Sequence, residues 1–438
     1  MAKIVEFPWG DEMLDVHLPP SWTVLGELSP RPEPAPAEPA DACAAALADP
    51  VGTRPLASRD LSKAHVVIVT DDHSRPTPVG EFLLPVLDQL ARAGAADERI
   101  EFLLANGVHR RSSREEIERK LGAEIASRYH WRCHDAYDRA GLVDLGVTSR
   151  GTRVLINRLL TEADLVVCLG ALEPHLLLGF GGGLKMLVPG CAGAETIGRN
   201  HMQGVDPEHF DFVGVEASPM RLDLEEAAQR LGKEVFIVNA VLNERGQLTR
   251  FFCGDGVAAH RRGVAYLREH VRMEVPEAAD VVLSNSYPMD TDLRQSIKCV
   301  GNSLYAARPG GVLLGCVRCE EGLGEIAIPP RTLPYPLLRA LVRVIGGRRV
   351  LPLVERIKKG EPVEEIFVGH FGLQMLRRNH LGLFSERLPV DTGKRMGLAC
   401  TFDRVQSMID WAVRRVPRRA TVWVFPYGGS TYAEVAPS

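Results

Sequence analysis

Short, mostly apolar runs recur along the first part of the chain. They fall at residues 65–70, 99–104, 165–169 and 235–242. Such runs, without polar alternation, are typical of strands that are buried on both faces of a parallel sheet. Between them, residues 40–48 and 79–93 have the composition and apolar spacing of helices. Strands that alternate with helices predict an α/β fold built on a mostly parallel sheet flanked by helices.

A second alternation of the same kind begins after residue 273. Its predicted strands fall at residues 279–284, 311–317, 366–369, 396–402 and 420–425. The chain has 438 residues, which is more than a single compact core usually contains. We therefore expect two such domains. We place them at residues 1–273 and 274–414, with the tail 415–438 packing back on the first. We expect the active site in the cleft between them.

Local signals predict two helix starts. Ser113 and Glu116 have the spacing of a capping box, and the apolar residues Ile117, Leu121 and Ile125 continue one helical face after it. Further along, Asp290 is predicted as the N-cap of a helix. That helix would bury Leu293, Ile297, Val300 and Leu304 on one face and carry Arg294, Gln295 and Lys298 on the other. The polar face is either solvated or turned across the cleft toward an anionic substrate.

Composition narrows the class of protein. The net charge of −4 does not suggest a nucleic-acid surface, and no apolar run is long enough for a transmembrane helix. The first residues lack the apolar core of a signal peptide, so we expect nine reduced cysteines and a cytoplasmic protein that binds no membrane. Cys316 and Cys319 form the one tight pair, which without a second pair does not predict a zinc knuckle. The oligomeric state stays open.

Polar residues follow three of the predicted strands, in loops 71–78, 105–110 and 171–185. In open α/β sheets, ligands bind beyond the carboxyl ends of the strands, so these loops should line one crevice. Their candidate functional residues are Asp71, Asp72, Arg75, Asn106, His109, His175 and Lys185. Arg75 suits a carboxylate or phosphate but equally suits an Arg–Asp pair that braces the loop. A single histidine there is often structural, whereas two on converging loops favour acid–base chemistry.

A glycine cluster at Gly179, Gly181, Gly182 and Gly183 precedes Lys185, and His201 follows on a short predicted helix. Glycines let the backbone approach a ligand closely, although the same cluster also suits a plain tight connection. The sequence is not a Walker loop, and it lacks the dinucleotide-binding fingerprint, which disfavours an NAD-dependent dehydrogenase. His130, Cys133 and His134 also lie close together, where incidental placement is favoured over a metal site.

Taken in order, these motifs resemble the lactate racemase family, whose members use a nickel-pincer nucleotide. The resemblance covers most of the chain and is carried by residues 72–78, 105–110, 174–175, 179–185, 188–190, 200–201 and 295–298. Pro8-Trp9-Gly10 and residues 321–324 fit the same pattern.

The resemblance implies an enzyme, a racemase or epimerase of 2-hydroxy acids that works by reversible hydride transfer to the cofactor. It implies that Lys185 carries the nickel-pincer nucleotide covalently and that His201 binds the nickel. His109 and His175 would be the acid–base pair. The domain of residues 1–273 would bind the cofactor through Asp72, Asn106, Gly181, Gly182 and Gly183. Arg75, Gln295, Lys298 and Arg294 would bind substrate, and cofactor-synthesis proteins would be partners.

Two positions depart from the family pattern. Arg294 stands where an aromatic residue is common, and the segment 371–374 lacks the tryptophan expected in a lactate enzyme. We therefore expect a substrate larger or more anionic than lactate. The alternatives are lactate racemase proper, a non-catalytic protein that binds the pincer, and a zinc hydrolase with His109, His175 and His201 as ligands.

Overall fold

The computed structural model describes residues 3–75, 77–205, 212–324, 326, 328, 332–359 and 363–436. Pro76, part of the predicted loop 71–78, lies outside them. The strands in chain order are β1 (Lys3–Trp9), β2 (Glu12–Leu18), β3 (Thr23–Glu27), β4 (Val66–Asp71), β5 (Ile100–Ala105), β6 (His130–Cys133), β7 (Leu142–Val147), β8 (Arg153–Asn157), β9 (Leu165–Ala171), β10 (Pro174–His175), β11 (Gly179–Phe180), β12 (Glu234–Leu242), β13 (Leu248–Asp255), β14 (Arg272–Val275), β15 (Ala279–Asn285), β16 (Ala307–Cys316), β17 (His380–Phe384), β18 (Cys400–Phe402), β19 (Thr421–Phe425) and β20 (Tyr432–Val435).

The α-helices are α1 (Pro39–Ala48), α2 (Leu83–Arg92), α3 (Arg114–Leu121), α4 (Ala123–Arg128), α5 (Arg158–Glu162), α6 (Ala194–Gln203), α7 (Pro219–Gln229), α8 (Ala258–Val271), α9 (Leu293–Ser296), α10 (Lys298–Asn302), α11 (Tyr335–Ile345), α12 (Gly347–Ile357), α13 (Val363–Arg378), α14 (Thr392–Met396) and α15 (Val405–Val413). Together with two larger parallel-dominated sheets, they confirm the predicted α/β class. Among the described residues, no helix is long and apolar enough to cross a membrane.

The first sheet has the strand order β13-β12-β9-β4-β5-β6 and is parallel except for β13, which runs antiparallel to β12. The four predicted strands of the first part of the chain are therefore confirmed. Alternate residues of β4 enter two different cores: Val66 and Ile68 pack on one face, Val67 and Val69 on the other. Burial on both faces explains why residues 66–69 of this strand are all apolar.

The second sheet has the order β18-β17-β16-β15-β19-β3, and all its strand pairs are parallel. The predicted strand 366–369 is wrong, because these residues lie inside α13. Phe367, Phe371 and Met375 recur every four residues, which is the spacing of one helix face. The strand in this part of the chain is β17, and the predicted strand 396–402 shortens to β18.

Two local predictions need correction. The face of Ile117, Leu121 and Ile125 belongs to two helices, α3 and α4, because Gly122 between them has a φ of 91° that interrupts the helix. The capping box of Ser113 and Glu116 is nevertheless present at the start of α3. The later helix is capped by Asp292, whose side chain accepts from the Gln295 amide at 2.8 Å, and not by Asp290.

Both ends of the described chain pack against parts of it that are distant in sequence. Strand β3, near the beginning, pairs with β19 in the second sheet. Strand β20, near the end, pairs with β14, and the Tyr432 ring meets Phe180 of the first half at a centroid distance of 6.0 Å. The division into domains at residue 273 stays a prediction, while the pairing of β3 with β19 shows that the second sheet is not built from one continuous piece of chain.

Candidate active site

A cavity of about 250 Å³ lies at the carboxyl ends of β4, β5 and β9. From β4 the chain proceeds outward through β5 and β6, whereas β9 and β12 lie on its other side, so the strand order reverses next to β4. Ligands bind at such reversal points, because the loops on either side diverge and leave a crevice. The polar lining residues are Asp71, Asp72, Arg75, Asn106, His109, His175, Lys185, His201, Arg294, Gln295 and Lys298.

His109 is held by the carboxylate of Asp72. Its Nδ1 lies 2.7 Å from Asp72 Oδ2, and Ser74 donates to the other carboxylate oxygen from its hydroxyl at 2.6 Å and its amide at 3.1 Å. Burial alone would raise the pKa of Asp72, but His109, Ser74 and Arg75 outweigh it and hold the pKa below its usual range. An ionised Asp72 keeps the Nδ1–H of His109 pointing toward it. The Nε2 of His109 is then the proton-accepting atom.

His175 is fixed in the opposite sense. It lies on the two-stranded ribbon β10–β11, and its Nδ1 accepts from the amides of Leu177 at 3.3 Å and Leu178 at 3.2 Å. Burial, and then the charges of Lys185, Lys298 and Arg75, lower its pKa well below the ordinary value, so the ring is neutral. A neutral ring whose Nδ1 accepts carries its hydrogen on Nε2. The two histidines therefore present an acceptor and a donor, respectively.

Two cations meet at one carboxylate on another wall. Glu173 Oε1 lies 3.2 Å from Arg75 Nη1 and 3.7 Å from Lys298 Nζ, and Arg75 Nη1 also donates to Gln295 Oε1 at 3.0 Å. Burial alone would raise the pKa of Glu173, but Lys298 and Arg75 lower it to about 2. Burial lowers the pKa of Lys298 to about 8, although Glu173 opposes that shift. The group keeps one net positive charge near neutral pH.

Lys120 of α3 holds the loop that carries Asp72 and Arg75. The Lys120 ammonium donates to Asp71 Oδ1 at 2.7 Å, to the Arg75 carbonyl at 2.9 Å and to the Thr77 carbonyl at 3.4 Å. The Thr77 hydroxyl donates to the second Asp71 oxygen at 2.6 Å. Both charged side chains are more than nine-tenths buried. One buried cation thus ties the carbonyls of Arg75 and Thr77 to the side chain of Asp71.

The glycine cluster does not line the main cavity. The Gly181, Gly182 and Gly183 residues are buried, and only Gly182 reaches a smaller neighbouring cavity that also touches Lys185. At Gly179, which has a φ of +77°, a Cβ would lie 1.8 Å from the Val215 carbonyl oxygen. This glycine is therefore required by packing within the protein, whatever a ligand requires.

Three buried polar side chains hold the glycine segment. Arg221 donates to the Phe180 carbonyl, and to the Gly182 carbonyl at 3.5 Å, while His260 Nε2 lies 2.9 Å from the Gly181 carbonyl. Asn239 Oδ1 accepts from the Gly183 amide at 2.9 Å. Burial lowers the pKa of Arg221 to about 10, which still leaves it charged.

Lys185 follows the glycine segment directly and lines the main cavity. Burial, together with the nearby Arg75, lowers the pKa of its ammonium well below the ordinary value, although Glu173 opposes the shift. A lowered pKa supplies the unprotonated amine that a nucleophilic lysine needs.

His201 projects from α6, and its Nδ1 lies 2.7 Å from the Ile197 carbonyl of the preceding turn. A carbonyl can only accept, so Nδ1 carries the hydrogen and Nε2 carries the lone pair. This is the tautomer in which metal-binding histidines are usually held. Asn106 has a bracing contact instead: its amide donates to the Arg110 carbonyl at 2.9 Å.

Comparisons with known proteins show the family to which the chain belongs. Residues 9–211 match the model of the lactate racemase N-terminal domain. The lactate racemase of Lactiplantibacillus plantarum is 30% identical over 386 residues, which span 87% of this chain and 88% of that protein. The chain belongs to the lactate racemase family. The lactate racemase of Thermoanaerobacterium thermosaccharolyticum is 31% identical over 281 residues, which span 64% of this chain and 66% of that protein.

Solved structures share the fold of this family member. The lactate racemase apoprotein from T. thermosaccharolyticum matches with a TM-score of 0.83 and 24% identity, covering 99% of this chain and 100% of that one. A protein from Thermotoga maritima matches with a TM-score of 0.66 and 17% identity, covering 92% and 100%.

Other candidate metal ligands of this lactate racemase relative have protein partners. His134 Nε2 lies 2.9 Å from the Ala192 carbonyl, and its Nδ1 lies 3.0 Å from Asn157 Nδ2, so both ring nitrogens are engaged. Cys316 and Cys319 are buried free thiols. Over the described ranges, no three His, Cys, Asp or Glu side chains form a group that could hold a metal, and the zinc-hydrolase alternative requires such a group.

Sequence reasoning missed four residues that shape this family member's site: Glu173, Lys120, Arg221 and His260. Glu173 lies in the loop 171–185, which the sequence already predicts to line the crevice. Its position beside Pro174, directly before His175, is the feature of the sequence that could have identified it. The other three lie on helices with charged neighbours, where a charged side chain usually faces solvent. Their burial depends on contacts with distant parts of the chain.

Proposed function

We propose that this chain racemises a 2-hydroxy acid by reversible hydride transfer to a nickel-pincer nucleotide carried on Lys185, with a substrate larger than lactate. Membership of the lactate racemase family supports the coarser statement, that the chain is a racemase acting on a hydroxy acid. The observation that carries the proposal is the buried Nζ of Lys298. Within the described residues it has no hydrogen-bond acceptor, and it faces the same cavity as both histidines.

An ammonium group buried without an acceptor is costly unless a ligand supplies one. The Glu173 carboxylate, 3.7 Å away, neutralises part of the charge but lies beyond hydrogen-bond length. A substrate carboxylate would accept from Lys298 and from the guanidinium of Arg75, which together retain one positive charge after Glu173 is counted. Such charge-assisted contacts fix the orientation of a small acid at its carboxylate end.

The residues present fit the cofactor that the family uses. Lys185 supplies an amine whose pKa is lowered, and His201 supplies an imidazole with its Nε2 lone pair as ligand atom; both line the cavity. Imidazole is a suitable ligand for nickel. Lys185 would hold the organic group and His201 the metal, and when bound the cofactor would supply a hydride acceptor and donor for C2 of the substrate.

The two histidines handle the hydroxyl proton. The Nε2 of His109 accepts it, because Asp72 fixes the Nδ1–H and stabilises the imidazolium that forms. His175 presents an Nε2–H that can donate to the substrate oxygen. The proton that His109 takes from the hydroxyl is returned to the keto oxygen when hydride returns to C2, so both histidines end in their starting protonation states while His175 holds the oxygen by a hydrogen bond.

The test uses protein made together with the cofactor-synthesis proteins, which we propose as its partners. Single enantiomers of several 2-hydroxy acids are supplied, and formation of the opposite enantiomer is followed by chiral chromatography. We expect racemisation, an adduct on Lys185 in peptide mass spectra, and retention of C2 deuterium in the product, because hydride returns to the carbon from which it left.

Alanine variants of His109 and His175 should each lose at least about a hundredfold in rate, the lower range for general acid–base catalysis. Loss of the C2 deuterium to solvent would contradict hydride transfer and indicate proton abstraction instead. Activity of a protein whose Lys185 is unmodified would contradict the proposed attachment.

A further inference from the structure

The cavity has a second, apolar half that the reactive residues leave unused. Beyond Lys298 in sequence, the described residues that line it are all apolar or glycine. The main ones are Ile326, Phe367, Phe371, Met375, Leu383 and Leu398. They come from α13, β17 and neighbouring loops of the second half of the chain. The groups assigned to acid–base chemistry, metal and cofactor all come from loops and helices of the first sheet.

The residues of the apolar half pack closely against one another and against neighbouring elements. The Phe367 and Phe371 rings stack with centroids 5.8 Å apart on one face of α13. A Cβ on Gly301 would lie 3.2 Å from the Phe371 ring and 2.9 Å from Leu176, so three elements meet tightly there. A Cβ on Gly372 would lie 2.6 Å from Leu398, which shows how closely that loop covers the helix.

Lys298 fixes how a substrate would lie between the two halves. It stands at the start of α10 and is, among the described lining residues, the last polar one in sequence. A hydroxy acid held by its carboxylate at Arg75 and Lys298, with its hydroxyl toward the histidines, has one remaining substituent on C2. That substituent would extend toward α13.

We propose that this apolar half is the subsite for the C2 substituent, and that the substrate is a 2-hydroxy acid with a bulky apolar side chain, branched aliphatic or aromatic. The proposal rests on the proposed function. A methyl group, as in lactate, would leave much of the wall without contact. A second carboxylate would be buried among apolar side chains without a partner, which is costly. Arg294 lines the main cavity and also borders the opening beside His73 and Glu321, so the malate arm of the test below decides whether it accepts a second carboxylate.

The first experiment measures kcat/KM of the cofactor-loaded enzyme for single enantiomers of lactate, 2-hydroxyisocaproate, phenyllactate and malate. Each additional methylene that fills an apolar pocket is worth roughly tenfold or more in discrimination. We expect the two bulky apolar acids to exceed lactate by at least about tenfold, and malate to fall below lactate. Equal or higher values for lactate or malate would overturn the proposal while leaving the racemase function intact.

A matched pair of variants locates the subsite. Met375→Trp fills the cavity from α13, so the ratio of kcat/KM for phenyllactate to that for lactate should fall by at least about tenfold. Leu373→Trp places the same ring on the face of α13 that packs against a different core, and should leave the ratio unchanged. An unchanged ratio in Met375→Trp, with folding verified by circular dichroism, would place the side chain elsewhere and overturn the assignment.

A binding measurement separates this inference from the proposed function. If the cofactor-loaded enzyme turns over none of the acids, the racemase proposal fails. The subsite is then tested by the thermal stabilisation that 2-oxo acids with the same side chains give on binding. Greater thermal stabilisation by phenylpyruvate than by pyruvate or oxaloacetate would support the apolar subsite. The reverse order would overturn it.

Discussion

Replacing Lys120 with methionine tests how the loop of Asp72 and Arg75 is held. Methionine keeps most of the side-chain volume but removes the ammonium and its three bonds, to Asp71 and to the carbonyls of Arg75 and Thr77. Both members of the ion pair are more than nine-tenths buried. Removing one partner of a buried pair typically costs about 3–5 kcal/mol, because the other charge is left without compensation.

The expected loss depends on pH, because Asp71 can escape part of the cost by taking up a proton. Burial already raises the pKa of Asp71, and Lys120 is the main opposing influence. Without Lys120 the folded-state pKa rises further above that of the unfolded chain. A carboxyl with a raised folded pKa is favourable below the unfolded value of about 4 and loses that contribution as the pH rises through the folded pKa. The stability gap between wild type and Lys120→Met should therefore widen from about pH 4 toward neutral pH.

The assay is urea unfolding at several pH values, read at the transition that involves the first sheet, because a chain of this size need not unfold in one step. The control is the double variant Lys120→Met/Asp71→Asn, which removes the unpaired charge while keeping an acceptor for Thr77. It should recover much of the loss in stability. Activity should stay at least about tenfold low in both variants, because the backbone of Arg75 loses its tether. Equal stability of the two variants, both within about 1 kcal/mol of wild type, would refute the buried-pair argument.

Three further predictions address the electrostatics and the cofactor. Because the pKa of Lys298 is about 8, KM for the hydroxy acid should increase when the pH exceeds 8. Glu173→Gln removes the charge that raises this pKa, so in that variant KM should begin to increase at a lower pH. An unchanged pH profile of KM would argue against Lys298 as a carboxylate ligand. His201→Ala should lose nickel by elemental analysis while Lys185 still carries the organic group in mass spectra; full nickel content would reject His201 as the ligand. Arg221→Met should lower the modified fraction of Lys185 at least severalfold, because the glycine segment loses its carbonyl donors, and full modification would show that this segment is held without Arg221.

The buried strands were predictable because their environment is uniform. Strands β4 and β9 are covered on both faces, so most of their positions select apolar residues and the run is visible in the sequence. The convergence of the loops that carry Asp72 and His109 followed from the same assignment. Once the strands are parallel neighbours, their carboxyl ends must lie together.

The strand predicted at residues 366–369 was wrong for a physical reason. Residues 366–369 form a short run with aliphatic and aromatic residues, and such a run does not by itself distinguish a strand from a buried helix turn. Strand β17 contains Gly382, which weakens the strand pattern, yet the tight packing of Trp411 against that position requires a small residue. Glycine was selected there by a neighbour that lies far along the chain.

The supporting charges of the site were invisible for a similar reason. Lys120 and Arg221 lie on amphipathic helices, and the residues next to them in sequence do not indicate that these two side chains are buried. Their partners, Asp71 and the Phe180 carbonyl, belong to other elements. A single sequence records which side chains are charged, whereas burial is a property of the assembled fold.

The pairing of β3 with β19 has a consequence for the order in which the protein forms during synthesis. Thr23 pairs in register with Thr421, and its amide donates to the Ala420 carbonyl at 2.8 Å, so β3 leaves the ribosome long before the strand that it needs. All strands of the first sheet, by contrast, lie before β14 and can pair while the rest is still being translated. Pairing of strands far apart in sequence is slow and leaves an edge exposed meanwhile. A ribosome stalled before residue 421 should therefore hold a protease-resistant first sheet and a β3 that is still open to cleavage.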